Sequence, residues 1–348
     1  MKKIKIKFSG FWKGFNYKEW LIYKILTEHY DVEVCEDADY VFCSCFGDSF
    51  VEFSFYEYLT YPQVRIMVTG ENYIPDFNFI DYAISVYPLT FGDRYFYFPT
   101  YTSNSTLHLH NINRNYDNKT LAEKPYFANF IASHESEYSI RGDFFKKLCK
   151  YKRVESPGSY LNNMEDSTPI AYEKKQDFQK KCKFTLCFES TKHEGFVTEK
   201  IVDAFLADTI PIYYGSDTAK EIFNPNAFIH VPDYDSFDDA IKRIIELDND
   251  DEAYLDMLRQ PILNDKDLIK NKLNDLRSFL DNIFDQPIEK AYRRSRVHSP
   301  YQHSAYLIYL RDIKKKFKDG SLFYDEYSGT QILKFSLRKI SARFKSEK

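Results

Sequence analysis

Between Phe184 and Phe205 the chain sets an apolar run, a polar loop and an amphipathic segment side by side, a combination able to hold an anion. Lys183 to Phe188 has the composition of a buried strand, Gly195 lies in the loop, and Thr198 is a favoured N-cap for a helix over Thr198 to Leu206. A helix start offers unpaired N–H groups and a partial positive charge, a natural seat for a diphosphate. Lys200 in the first turn adds a full positive charge where the helix dipole favours acids, so its presence needs a reason. The carboxylate of Glu199 is able to accept hydrogen bonds from ribose or hexose hydroxyls. Two readings of these residues stay open: a phosphate seat, or a surface helix start with an ordinary Glu–Lys pair.

Further charged positions fall at the ends of predicted elements. Glu71 follows the strand-like run Val64 to Thr69. A carboxylate there is either a solvated loop acid or a group at the edge where α/β sheets bind ligands. Arg141 stands in the first turn of a predicted helix, where basic residues are disfavoured. His134 and His193 lie in polar loops near the same predicted cleft, where histidines usually do no chemistry. Asp37-Ala38-Asp39 has the look of an Asp-x-Asp metal clamp, but two carboxylates are fewer oxygen ligands than a divalent ion generally takes, and Asp is common in turns. No metal site is expected.

The elements that must position these residues alternate. Strands are expected at Ile4 to Phe8, Asp31 to Cys35, Tyr40 to Phe46, Val64 to Thr69 and Asp81 to Val86, with a helix at Lys18 to His29. From Tyr101 to Ala122 the pattern dissolves into Asn, Ser, Thr and His, a linker composition. A second series follows: strands at Tyr126 to Ser133, Arg153 to Ser156, Lys183 to Phe188 and Ile210 to Tyr214; helices at Ile140 to Tyr151, Tyr172 to Cys182, Thr198 to Leu206, Asp238 to Leu247 and Glu252 to Arg259. The pattern predicts an α/β fold of two doubly wound domains with a cleft between them, ligands lying beyond the carboxyl ends of the strands. At 348 residues, two domains are also what length favours.

Composition removes several function classes. Lys and Arg total 48 against 52 Asp and Glu, a net charge of −4, which argues against a dedicated nucleic-acid binder. The chain contains no Gly-x-Gly, so the dinucleotide fingerprint is missing; the phosphate-binding P-loop and the Gly-x-Ser-x-Gly elbow are missing too. Twenty-nine Tyr and 31 Phe fit either an AT-rich coding sequence or surfaces that stack on sugars and purines. Cys35, Cys43, Cys45, Cys149, Cys182 and Cys187 have neither zinc-ligand nor disulfide-framework spacing.

Phe188-Glu189-Ser190, Phe196-Val197-Thr198-Glu199-Lys200, Ala204 and Ile210-Pro211-Ile212-Tyr213-Tyr214-Gly215 together resemble the donor-site signature of the family-10 α-1,3/4-fucosyltransferases, most closely bacterial members that make Lewis-type structures. The likeness extends to Phe130-Ile131-Ala132-Ser133 with Arg141, to Thr69-Gly70-Glu71-Asn72, and downstream to Phe223-Asn224-Pro225 and Tyr254-Leu255-Asp256. It implies the GT-B fold, two Rossmann-like domains facing across a cleft: 1–115 for the acceptor, 124–290 for GDP-β-L-fucose, then a helical basic tail over 291–348. It implies that Arg141 and Lys200 neutralise the departing diphosphate, that Glu199 binds donor hydroxyls, and that Glu189, Ser190 and Phe196 line the donor site. Glu71 is then the general base in an inverting, metal-independent transfer of fucose to a GlcNAc hydroxyl of an N-acetyllactosamine-type surface glycan, with no cofactor. Ser190 and Phe196 depart from the usual Asn and Tyr, and Phe196 has no hydroxyl to donate. Another nucleotide-sugar donor, or a non-catalytic glycan- or nucleotide-sugar-binding protein on the same fold, are the alternatives.

Residues 311–348 carry 11 Lys and Arg against 5 Asp and Glu, with Leu333, Leu337, Ile340 and Phe344 at helical spacing. A basic amphipathic helix suits an anionic membrane surface, or else docks on the protein's own core. The first residues alternate charged and apolar as a strand does, not as a signal peptide. A bacterial cytoplasmic protein, peripheral on the inner face of the membrane and acting on a lipid-linked glycan, is the expectation.

Overall fold

Several strand runs carry apolar residues at consecutive positions, as in Val41-Phe42-Cys43 and Ile210 to Tyr214, which suits parallel strands covered on both faces. The computed structural model describes residues 1–46, 61–71, 73–99, 114–135, 140–165 and 168–294, with the single positions 58, 109, 112, 308 and 311. Asn72, half of the expected linker and all but a few residues of the basic tail lie outside the described residues.

The first half contributes β1 (Lys2–Ser9), α1 (Leu21–His29), β2 (Tyr30–Val34), β3 (Tyr40–Cys43), β4 (Val64–Thr69), β5 (Tyr82–Ser85) and β6 (Tyr95–Tyr97). They form a six-stranded sheet in the order β2-β1-β3-β4-β5-β6, parallel throughout. The second half opens with α2 (Asn118–Ala122), β7 (Tyr126–Asn129), α3 (Arg141–Leu148), β8 (Val154–Glu155), α4 (Lys175–Gln179) and β9 (Cys182–Phe188). It continues through α5 (Glu199–Leu206), β10 (Ile210–Tyr214), α6 (Thr218–Ile222), β11 (Ile229–His230), α7 (Phe237–Asp248) and α8 (Asp251–Arg259). Its five strands lie in the order β11-β10-β9-β7-β8, again parallel. Strand order reverses between β1 and β3 in one sheet and between β7 and β9 in the other. The loops leaving those strand pairs frame the two crevices in which such sheets hold ligands.

Helices cover both faces of the second sheet: α3, α7 and α8 build one core around Phe144, Ile244 and Tyr254, and α5 and α6 build the other around Phe205 and Ile222. Two further helices complete the described chain, α9 (Leu268–Phe284) and α10 (Ile288–Ala291). By sequence α9 and all but the last residue of α10 fall within 124–290, yet most of their packing is on the first sheet, with Ile269 in the first turn of α9 joining the core of the second. Leu276, Phe279, Leu280, Ile283 and Phe284 of α9 share a core with Ile4, Ile6, Tyr40 and Phe42. Beyond α10, the buried Asp81 carboxylate accepts from the backbone N–H groups of Arg65 (2.8 Å), Arg293 (2.6 Å) and Arg294 (2.7 Å) and pairs with the Arg294 guanidinium.

Three local differences from the sequence expectation have clear causes. The first helix begins at Leu21 rather than Lys18, because Trp20 is extended (φ −75°, ψ 131°) and Tyr17–Glu19 forms a separate 3₁₀ turn. The short α2 interrupts the expected linker because the Asp117 carboxylate caps Lys119 and Thr120. The helix expected over Tyr172 to Cys182 narrows to Lys175–Gln179, since Cys182 already belongs to β9.

Candidate active site

At the crevice between β7 and β9 lies a cavity of about 300 Å³. One wall is aromatic: Tyr214, the last residue of β10, stacks on Phe188, the last of β9, at 5.4 Å between ring centroids and 11° between planes. Ile140 and Arg141 at the start of α3 and the loop Glu189, Ser190, Thr191 and Lys192 complete the lining of the cavity. A flat aromatic face beside a guanidinium, an ammonium and two hydroxyls matches a planar base linked to an anionic group. Arg141 is buried, which pushes its guanidinium below the ordinary value, with Glu135 and Glu189 acting in the opposite direction.

Glu189 organises the ground beneath this cavity. Its fully buried carboxylate accepts from the Thr198 backbone N–H (2.8 Å), from the Thr198 hydroxyl (2.7 and 2.9 Å) and from Lys200 Nζ (3.1 Å). Thr198 caps α5, as its position before the helix leads one to expect. Its hydroxyl also accepts from Lys200 Nζ at 2.9 Å, so the side chain of Lys200 turns back along the helix toward the cap. This is the reason for a lysine in a first turn: its charge is matched by Glu189 rather than left against the dipole. Burial works to lower the Lys200 ammonium, but Glu189 and Glu199 outweigh it and hold it above the ordinary lysine value. Glu199, 3.8 Å from Lys200, is held below the usual carboxylate range because Lys200 and Lys175 outweigh the opposing effect of burial.

A second ion pair stands behind the first. Lys175 of α4 meets Asp203 of α5 at 2.7 Å; burial raises Asp203 despite its partner, and Asp203 in turn raises Lys175 against its own burial. Neither residue was singled out by sequence, although Asp203 recurs four residues after Glu199 and so shares its helix face. Tyr214, Thr191, Lys192 and Ile140 were also missed as lining residues. The signal for Tyr214 was its place at the end of a strand, just before Gly215, in a sheet whose strand ends bind ligands.

The expected donor residues divide into three groups. Arg141, Glu189 and Ser190 line the cavity. Lys200 and Glu199, at the start of α5, do not line it; Lys200 pairs with Glu189 of its lining, and Glu199 lies beside Lys200. Phe196 is buried at 3% exposure, with its ring against His193 (4.9 Å), and does not line the cavity.

Glu71 leaves the carboxyl end of β4, exposed, its backbone N–H donating to the Thr69 hydroxyl at 3.1 Å. The corresponding edges of the two sheets meet nearby. Tyr87, beyond β5, stacks on His193 at 4.6 Å and 5°, and the Tyr97 hydroxyl at the end of β6 donates to the Gly195 carbonyl at 2.9 Å. Gly195 has φ +76°, and a β-carbon there would come within 2.6 Å of Pro88. Only glycine allows this approach. Glu71 therefore stands one strand over from the point where the first sheet's edge touches the donor-side loop.

Among the described residues one cluster has the spacing of metal ligands, Asp217, His230 and Asp233. Lys220 Nζ already lies 3.0 Å from Asp217 and 2.5 Å from Asp233, supplying the positive charge there. Asp37 is exposed and pairs with Lys5 at 3.4 Å, in keeping with a polar turn.

Two family models match the chain in tandem: the fucosyltransferase N-terminal domain over residues 6–104, and the C-terminal part of glycosyltransferase family 10 over 121–259. The α-(1,3)-fucosyltransferase FucT of Helicobacter pylori is 30% identical over 90% of this chain and 70% of its own length. The chain belongs to glycosyltransferase family 10, the fucosyltransferases. A crystal structure of an α1,3-fucosyltransferase with GDP-fucose superposes with a TM-score of 0.66 at 28% identity, covering 85% of this chain and 94% of that one. A DNA-modifying β-glucosyltransferase, 12% identical with a TM-score of 0.50, shares the fold alone. The architecture is GT-B, and this family-10 chain is a glycosyltransferase.

Proposed function

We propose that the chain transfers L-fucose from GDP-β-L-fucose to O3 of a GlcNAc in an N-acetyllactosamine-type surface glycan, with inversion and without a metal. The observation that carries this reading is the cavity at the β7–β9 crevice, where Arg141 meets the Glu189–Lys200 network beside a stacked aromatic wall. Guanine and ribose occupy the aromatic side, the diphosphate lies toward Arg141 and the start of α5, and fucose projects toward the other lobe. As the anomeric C–O bond breaks, charge grows on the diphosphate, and fixed cations meet it without reorganising. Glu71 takes the proton of the acceptor hydroxyl as that oxygen attacks from the face opposite GDP. A single displacement then converts the β-linked donor into an α-L-fucoside.

The experiment is incubation with GDP-fucose, GDP-mannose and UDP-sugars against type 1 and type 2 oligosaccharides, with NMR of the product. An α-1,3 linkage formed from GDP-fucose alone, undiminished by EDTA, supports the donor, the linkage, the inversion and the metal-independent step. A β-fucoside product removes the single displacement, and activity lost to EDTA removes the metal-independent step. We further propose a cytoplasmic protein whose basic tail meets an anionic membrane; sedimentation with anionic but not neutral vesicles, abolished by deleting 312–348, tests this.

A further inference from the structure

The ligand crevice of the first sheet, between the carboxyl ends of β1 and β3, holds an aromatic cluster. Gly10 follows β1 with φ +71°, a β-carbon there falling 2.5 Å from the Ser44 carbonyl oxygen, and the Phe46 N–H donates to the Gly10 carbonyl at 2.8 Å. These contacts hold the β1 loop tight against the β3 loop. On it Phe11 and Phe15 stack at 4.1 Å, and Trp12 is propped by Phe15 (4.9 Å, 72°) and Phe46 (5.6 Å, 87°). Phe11, Phe15 and Trp20 are partly buried in this cluster, whereas Trp12 remains 49% exposed. A large indole held rigid by its neighbours and left half open at a ligand crevice is a platform.

Its place in the sheet relative to Glu71 bears on what it holds. Glu71 leaves β4, two strands from β1, so the ends of these strands lie about 10 Å apart at the usual strand spacing, a span that a disaccharide can bridge. The Cys45 thiol and Thr69 hydroxyl, 3.0 Å apart, tie the intervening β3 loop to the end of β4. We propose that Trp12 stacks on the sugar adjoining the one that receives fucose, and that this sugar is a β-galactoside, whose pyranose presents a run of C–H groups on one face. The assignment rests on the function proposed above, to which it adds a positioning residue for the acceptor.

Trp12→Ala should raise KM for N-acetyllactosamine about tenfold, the equivalent of one aromatic contact, with kcat within a few-fold, and Trp12→Phe should recover most of the loss. The chain has two tryptophans, so binding is read directly. With GDP present, N-acetyllactosamine should change the fluorescence of wild type and Trp20→Phe but not of Trp12→Phe. An unchanged KM in Trp12→Ala, or an undiminished fluorescence response in Trp12→Phe, overturns the platform. Should Trp12→Ala fail to fold, Trp12→Phe decides by the same signal. A platform that quenches with galactosides in a protein that transfers no fucose would leave this inference standing and remove the reaction. Efficient transfer with no role for Trp12 does the reverse.

Discussion

The two crevices of this molecule are built from different materials. At the β7–β9 crevice the polar groups answer one another: Glu189 is saturated by Thr198 and Lys200, and Lys175 and Asp203 pair behind them. At the β1–β3 crevice the side chains are rings, and the acid on the neighbouring strand, Glu71, is exposed. A lobe that must stabilise a charge appearing on a leaving group gains from dipoles and ions fixed beforehand, since reorganisation during the reaction would raise the barrier. A lobe that must grip a neutral glycan gains from apolar faces. Under the proposed function its acid has to be reached by an incoming hydroxyl, which sealing by internal partners would prevent.

The comparison breaks first at Glu71. Glu71→Gln should lower kcat by about 10²–10⁴, the range for a positioned base, while GDP affinity by calorimetry and the urea midpoint stay unchanged. A turnover equal to wild type would move the base elsewhere. The next effect is Arg141→Gln, expected to reduce kcat by about 10²–10³, as for removal of one preplaced donor to a developing anion. Here GDP affinity should fall as well. Loss of turnover with GDP affinity intact would place the diphosphate away from α3.

These two sites were unequally legible in the sequence. The Thr198 cap, the strand Val64–Thr69 and the strand Ile210–Tyr214 carry local signals, namely a hydroxyl before a helix and runs of apolar residues, and they stand where the residues predict. The reason for Lys200 was not local. Its partner Glu189 lies eleven residues away across a loop, and only the fold brings the two to 3.1 Å. Phe196 is expected to line the donor site by its place in the motif, but its buried ring packs against His193 instead. The return of α9 to the first sheet could not be read either, because an amphipathic helix announces an apolar face without naming the surface that receives it. Tyr95–Tyr97, a three-residue edge strand, is too short for a period-two pattern.

The join between the crevices yields the third prediction. Gly195→Ala forces a side chain into a left-handed conformation and against Pro88. It should cost about 1–3 kcal/mol of stability, the range for such strain, read as a fall in the urea midpoint. Because Tyr97 and His193 hold the same loop to the first lobe, kcat should fall more than GDP affinity does. Equal losses in both would mean that the loop serves the nucleotide alone and does not couple the lobes.

The smallest effect is a pH dependence confined to one crevice. Glu199 is held below the ordinary carboxylate value of 4.5, so its folded state binds fewer protons than the unfolded chain there. The resulting stability is therefore fully present above that value and disappears as pH falls through the depressed one. Lys200 is the mirror case: raised above 10.5, it contributes below that value and loses its contribution as pH climbs beyond it. Glu199 is 40% exposed, so solvent screening limits its share to about 1 kcal/mol or less. Urea midpoints of wild type and Glu199→Gln should accordingly differ at pH 7 and converge as pH falls through the depressed value. If Glu199→Gln tracks wild type across that range, the charges at α5 are not coupled as their geometry indicates, and the contrast between an internally answered lobe and an open one fails at its ionic end.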